Sequence, residues 1–288
     1  MLFKTDLPRL VGVTATDDPA VETFAKNTAL ACFEDGIIYD IVSVKQDEVE
    51  DTVHELNNND ISPKVSGVIV HYPIFKSQPG LDDRLRHLVS PKLDVEGLHH
   101  SKNNNNRSTT TTTTTDHYSV LHSPFSMFPC TALSVLKILQ SFPDVYFPNR
   151  TITIFNRSDI FGRPLANILA QHGAKIYSID KHDILCYQQS NIAQCSNSTT
   201  NKDCVQQSSI IITAVPSNTF RIPSSWIQPN SIVINVSFFD NVDQESIYNV
   251  PNINYVPCIG KVTIAVLEHN LIKLHSKYHS NIPFKVSS

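Results

Sequence analysis

Glycine is scarce in this sequence, eight in 288 residues, and no three of them form G-x-G-x-x-G. That excludes the usual glycine-rich dinucleotide fingerprint. Cysteine is present but never as C-x-x-C: Cys32, Cys130, Cys186, Cys195, Cys204 and Cys258 are scattered. Neither a zinc knuckle nor a disulfide framework follows, and free thiols in a reducing compartment are the expectation. No stretch approaches the roughly 20 apolar residues of a membrane span, and the opening "MLFKTDLPRLVGV" holds no apolar core behind a basic segment. Charge of either sign is modest: 17% of residues are charged and the net charge is −4, so nothing draws the chain to nucleic acid or to a membrane surface. The expectation is a soluble, cytosolic protein with a small-molecule partner and no metal site.

What is present is alternation. At 288 residues the chain is long enough for two domains. An apolar strand at 9–15 precedes Asp17-Asp18-Pro19, which opens a helix with Val21, Phe24, Thr28 and Cys32 on one face. "IIYDIVSV" (37–44), a helix over 46–57 and "VSGVIVHYPIF" (65–75) continue the pattern. Between His99 and Met127 the composition changes to an asparagine run and seven consecutive threonines, a low-complexity insert. Pro129 then starts a helix, and from Thr151 the strand–helix theme repeats with strands at 151–155, 174–180, 209–215 and 231–237. A polar low-complexity stretch at 186–207 interrupts it, and "GKVTIAVLEHNLIKLHSKY" forms a long last helix. The pattern predicts parallel sheets covered by helices.

One stretch carries chemistry. "ITIFNRSDIFGRPLANIL" (152–169) reads as strand, polar turn and helix, a shape that suits a phosphate at a helix N-terminus. Its single glycine, Gly162, stands beside Arg157 and Ser158, which could hold a pyrophosphate in place of further glycines. Asp180 closes the next strand at 180 − 162 = 18 residues after Gly162, near the roughly 20 at which an acid meets the adenine ribose hydroxyls. A carboxylate there favours NAD and repels the 2′-phosphate of NADP, with Lys181 as its neighbour. On these residues alone, a charged turn with a helix-capping Asp explains the pattern equally.

Further stretches resolve the question by resemblance. "GVIVHYPIF" (67–75), "SPKLDVEGLHH" (90–100), "PCTALSVLKIL" (129–139), "NRSDIFGRPLA" (156–166), "IIITAVP" (210–216) and "VPCIGKVTIAVL" (256–267) follow the order and spacing of the methylenetetrahydrofolate dehydrogenase/cyclohydrolase family. The details resemble its monofunctional, NAD-dependent branch most. The resemblance implies an α/β protein of two domains: an N-terminal folate-binding catalytic domain over 1–140 with the insert at about 101–127, and a Rossmann-type NAD-binding domain over 141–260. The C-terminal helix, 261–288, is expected to pack back on the first domain. The implied reaction is NAD-dependent oxidation of 5,10-methylenetetrahydrofolate to 5,10-methenyltetrahydrofolate, in a homodimer.

The implied site follows residue by residue. Bifunctional members carry a Tyr and, four residues later, a Lys on the first helix, and a Gln before the "LP" of the following strand; Phe24, Thr28 and His71 stand there. Phe24 can stack on the aminobenzoyl ring, but Thr28 supplies no ammonium group, so cyclohydrolase activity is expected to be absent. Glu96 matches an acid that grips the pterin edge, or is an exposed loop residue. His71 is a folate contact or a strand histidine. Cys130, in the first turn of its helix where a thiol pKa is lowered, lines the site or packs. Gly260 and Thr263 begin the helix that closes over the ligands, and Ala214, Val215 and Pro216 join Arg157, Ser158, Gly162, Asp180 and Lys181 at the cofactor. Family members also open with a long helix ahead of the first strand, which this sequence reaches at once, baring apolar surface in the folate domain. The competing readings are a degenerate member that binds without turnover and a bifunctional NADP enzyme.

Overall fold

The computed structural model describes residues 6–58, 65–75, 77–99, 127–143, 145–189 and 191–280. The Asn/Thr-rich insert expected at 101–127 lies outside them, apart from Met127. The chain divides into two compact units, Met1–Cys130 with Ile264–Ser288, and Thr131–Thr263. The division falls inside the helices Cys130–Ser141 and Gly260–Leu274, where the sequence reading drew it at 140 and 260.

In the first unit, strand β1 (Arg9–Thr14) lies between β2 (Ile38–Ser43) and β3 (Gly67–Val70) in a parallel sheet of order β2-β1-β3. The central strand's apolar run is buried on both faces, as a covered parallel sheet requires. Helix α1 (Pro19–Glu34) starts where Asp18 accepts the Ala20 amide at 3.0 Å and proline occupies the first turn. Its inner face is Val21, Ala25, Thr28 and Cys32. Helices α2 (Val49–Asn57) and α3 (Pro79–Leu88) complete the unit, with Val49, Val53 and Leu85 packed against Val11, Val13, Val68 and Val70. The strand expected over 65–75 stops at Val70, because the Ile74 and Phe75 amides turn to the Asp82 carboxylate (3.2 and 3.1 Å) rather than to a neighbouring strand.

Helix α4 (Cys130–Ser141) leads into the second unit, whose seven-stranded sheet has the order β10-β9-β8-β4-β5-β6-β7. Its strands are β4 (Thr151–Phe155), β5 (Lys175–Ile179), β6 (Ile184–Gln188), β7 (Asn191–Gln194), β8 (Ile210–Thr213), β9 (Ile232–Asn235) and β10 (Asn254–Val256). Helix α5 (Gly162–Gln171) joins β4 to β5. Five strands are parallel, and β6 and β7 add an antiparallel hairpin where a polar low-complexity stretch was expected. Tyr187 anchors that hairpin by burial, while all four β7 residues are exposed. Within the same stretch, Thr200 and Asp203 form a capping box that starts a short helix, α6 (Asn201–Gln206). Helix α7 (Gln244–Ile247) precedes β10.

The last helix, α8 (Gly260–Leu274), returns to the first unit from Ile264 onward. Leu271 packs on Gly67, and Ser66 Oγ meets His275 Nδ1 at 2.9 Å. Among the described residues no helix is long and apolar enough to cross a membrane.

Candidate functional site

In the first unit, His71 follows β3 and is buried, its amide bonded to Val13 O at 2.9 Å. Its Nε2 lies 2.9 Å from Tyr39 Oη, directly over Gly12. A Cβ on Gly12 would collide with Tyr39 Oη and come within 3.0 Å of His71 Nε2, so the pair depends on that glycine. Burial pushes the His71 pKa down to about 4, and the imidazole is neutral at pH 7. The half-buried Phe24 ring stands edge-on to it, centroids 6.2 Å apart. Thr28 is fully buried and its hydroxyl donates to Phe24 O at 2.9 Å.

A second group forms where the Asp94–Glu96 segment meets the start of α4. The Cys130 amide donates to Glu96 O (3.1 Å) and its thiol to Val95 O (3.3 Å). Asn270 of α8, fully buried, donates to Val95 O (2.9 Å) and to Cys130 Sγ (3.4 Å). Burial, reinforced by Asp94 and opposed by Arg86, pushes the half-buried Glu96 up to about 8. The lowered thiol pKa expected for Cys130 is not found: burial, then the Glu96 and Asp94 charges, raise it well above its ordinary value. Those effects outweigh the helix terminus, so the thiol stays protonated.

In the second unit the polar turn after β4 has the shape of a phosphate cradle. Asn156 takes a left-handed backbone (φ 82°), and it donates its amide to Ile179 O (3.0 Å) and its Nδ2 to Ala214 O (2.7 Å). A Cβ on Gly162 would collide with Asn156 O and come 2.9 Å from Arg157 Cα, so one glycine suffices to bring the helix start onto the strand end. β4 lies between β5 and β8, the point where strand order reverses and where parallel α/β sheets open a ligand crevice. Asp180, exposed, stands at the carboxyl end of β5 with Oδ1 on the Lys181 amide at 2.8 Å. Ser158 is half-buried at the turn. The helix terminus, the tight glycine and the exposed acid fit the pyrophosphate and ribose of a dinucleotide.

Arg157 is placed differently from the sequence reading. It is buried, and its guanidinium donates to Ser178 Oγ (3.2 Å), Ser178 O (2.9 Å), Asp183 O (3.1 Å) and Asp183 Oδ1 (2.7 Å). It ties β4 to the end of β5. Ala214 and Val215 are half-buried and Pro216 is exposed. Asn241, fully buried, grips both edges of the Val215 peptide: its Oδ1 accepts from Val215 N (2.9 Å) and its Nδ2 donates to Val215 O (3.0 Å). Ser237 Oγ donates to the same carbonyl at 2.9 Å. Gly260 opens α8 with its amide on Cys258 Sγ (3.4 Å), and the buried Thr263 hydroxyl donates to Ile259 O (3.2 Å).

The structure thus gathers Phe24 and His71, and separately Glu96 and Cys130, within the first unit. Arg157, Gly162, Asp180 and Ala214 to Pro216 gather in the second. Sequence reasoning missed Tyr39, Asn270, Asn241 and Ser237. Each acts on a partner remote in sequence and carries no local motif; only the asparagine at the strand end of "IFNRS" marks a left-handed turn. Among the described residues no His, Cys, Asp and Glu cluster could hold a metal ion.

Residues 3–96 match the family model "Tetrahydrofolate dehydrogenase/cyclohydrolase, catalytic domain", and residues 129–279 match "Tetrahydrofolate dehydrogenase/cyclohydrolase, NAD(P)-binding domain". The chain is similar to the methylenetetrahydrofolate dehydrogenase [NAD(+)] of Schizosaccharomyces pombe, 37% identical over 97% of this chain and 88% of that one. It is 36% identical to the Dictyostelium discoideum protein of the same name, over 95% and 88%. The solved NAD-dependent 5,10-methylenetetrahydrofolate dehydrogenase of Saccharomyces cerevisiae superimposes with a TM-score of 0.80 at 30% identity, covering 93% of this chain and 86% of that one.

Proposed function

The chain belongs to the tetrahydrofolate dehydrogenase/cyclohydrolase family, and on that premise we propose that it oxidises 5,10-methylenetetrahydrofolate to 5,10-methenyltetrahydrofolate with NAD as hydride acceptor. The observation that carries the NAD reading is the exposed Asp180 carboxylate at the end of β5, one strand from the glycine turn. NAD, when bound, supplies the ring that takes the hydride. Hydride departure leaves a cation spread over two nitrogens and requires no proton transfer, so the protein's task is positioning and electrostatics.

In this reading Asp180 receives the ribose hydroxyls, and Ser158 with the backbone of the turn holds the pyrophosphate. Val215, fixed by Asn241, and its neighbours Ala214 and Pro216 border the cofactor. Glu96 takes the pterin edge, and Phe24 and His71 border the aminobenzoyl end. Cys130 serves as a neutral contact rather than a nucleophile.

Cyclohydrolase activity is absent in this reading, because water activation needs a proton shuttle. Thr28 directs its hydroxyl to Phe24 O, and burial leaves His71, at about 4, too weak a base to take a proton from water. A homodimer and a cytoplasmic location belong to the same proposal. The edge strand β2 leaves Ile38 and Ile41 exposed for a second copy, and six free cysteines suit a reducing compartment.

The test is formation of reduced cofactor from methylenetetrahydrofolate, run in parallel with NAD and NADP, together with clearance of the methenyl chromophore. Turnover with NAD, little with NADP and background methenyl hydrolysis are expected. Cofactor binding without turnover would leave a binding protein, and enzyme-dependent clearance would refute the missing hydrolase step.

A further inference from the structure

Arg157 and Asp183 form a pair that the dehydrogenase reaction does not call for. Nη2 of Arg157 lies 2.7 Å from Asp183 Oδ1 and 3.1 Å from Asp183 O, and that same carbonyl oxygen accepts the Asp180 amide at 3.0 Å. The guanidinium is therefore within two hydrogen bonds of the Asp180 backbone. It is buried, whereas the Asp183 side chain is about one-third exposed at 32%. Among the described residues, the other basic side chains nearby are Lys181 and His182 in the same loop, and Arg163, which pairs with Asp159 at 3.2 Å.

We propose that Asp183 is a second determinant of cofactor choice: by pairing with Arg157 it withholds from the ribose site the guanidinium that a 2′-phosphate would recruit. This rests on the reading that the second unit binds NAD through Asp180. NADP is then excluded twice, by repulsion from Asp180 and by the prior engagement of Arg157. The second exclusion follows from geometry. A guanidinium grips a phosphate strongly through parallel N–H donors, but here the Nε and Nη2 donors of one edge already serve Ser178 and Asp183. To take the phosphate, Arg157 must release a carboxylate at contact distance. The strength of the pair is also visible in the Asp183 carboxyl, which the Arg157 hydrogen bond and charge hold below the usual carboxylate range.

The proposal predicts non-additivity. Asp180→Ser alone removes repulsion but leaves Arg157 engaged; adding Asp183→Asn frees the guanidinium while keeping the side chain's shape. The probe is adenosine 2′,5′-bisphosphate, which carries the 2′-phosphate, with 5′-AMP as the matched ligand lacking it. Binding is measured by calorimetry on the full chain, with thermal unfolding recorded for each variant.

In the Asp180→Ser background, Asp183→Asn is expected to tighten adenosine 2′,5′-bisphosphate at least tenfold relative to 5′-AMP, about 1.4 kcal/mol. Asp183→Glu, which retains the ion pair, should leave the single variant's ratio in place. A double variant within twofold of Asp180→Ser, or an equal gain from Asp183→Glu, would overturn the proposal while leaving the NAD reading intact. A folded wild-type chain that binds neither NAD nor 5′-AMP would overturn both.

Discussion

The loop Asp94–Glu96 in the first unit and the turn Asn156–Gly162 with Asp180 in the second both carry carboxyl groups, but they set charge by different means. Around the first, burial decides. Glu96 is pushed up to about 8, His71 down to about 4, and the Cys130 thiol well above its ordinary value. Around the second, Asp180 is exposed and Asp183 is held ionised by a guanidinium 2.7 Å away. Neutral groups suit a site that must accept a polar heterocycle and tolerate a developing cation without committing a proton. Fixed negative charge suits one that must distinguish two cofactors differing by a phosphate.

The largest test of that contrast is Glu96→Gln. If the carboxyl meets the pterin edge, its two oxygens face the neutral N–H donors of the heterocycle, and an amide offers them one acceptor where the carboxyl offers two. Tetrahydrofolate affinity should fall by about tenfold to a hundredfold, the range of a charge-assisted hydrogen-bond pair at ~1.5–3 kcal/mol. NAD affinity should hold. Calorimetry with each ligand decides, and equal losses for both would place Glu96 outside the pterin site.

Asp180→Ser probes the other side of the contrast. It keeps a short hydrogen-bonding group and deletes the charge, so NAD should bind less well and NADP better, with Lys181 free to approach the phosphate. The NAD-to-NADP ratio of kcat/KM should shift at least tenfold, roughly 1.4 kcal/mol. An unchanged ratio in folded protein would reduce Asp180 to a loop-forming residue and move cofactor recognition to the turn.

The same contrast explains what could be read from the sequence. The strands 67–70, 151–155, 210–213 and 232–235 were legible because β-branched runs buried on both faces leave one reading, and so was the place of Asp180 at the end of its strand. The hairpin 184–194 was not, since the apolar run Ile184–Tyr187 does not alternate and only Tyr187 in it is fully buried, while its partner strand is wholly exposed. The clamps were invisible for a different reason. Asn241 acts on Val215 across 26 residues, Tyr39 on His71 across 32 and Asn270 on Val95 across 175, and no local pattern encodes such pairings. Proton states were misread for that reason too. The helix start implied a lowered Cys130 pKa, and only the folded surroundings reverse the sign.

The smallest expected effect is on stability, and it isolates burial from ligand chemistry. Glu96, at about 8, and the buried Glu268, at about 7, both lie above their ordinary value of 4.5. The native state therefore holds protons that the unfolded chain has released, and stability falls as pH rises through 4.5 toward 7 and 8. His71 runs the other way: its folded value of about 4 lies below 6.5, so its contribution is present above pH 6.5 and is lost as pH falls toward 4. Between pH 7 and 8 the histidine has finished titrating while Glu268 and Glu96 both release protons, and comparison with Glu96→Gln isolates the Glu96 share. Wild-type protein should lose about 1 kcal/mol more than Glu96→Gln between pH 6 and 8, less than the full shift implies because Glu96 is only half-buried. Urea unfolding of both proteins at pH 6, 7 and 8 measures the difference. Parallel pH profiles would mean that Glu96 ionises as an ordinary carboxyl, and the two regions would then set charge in the same way.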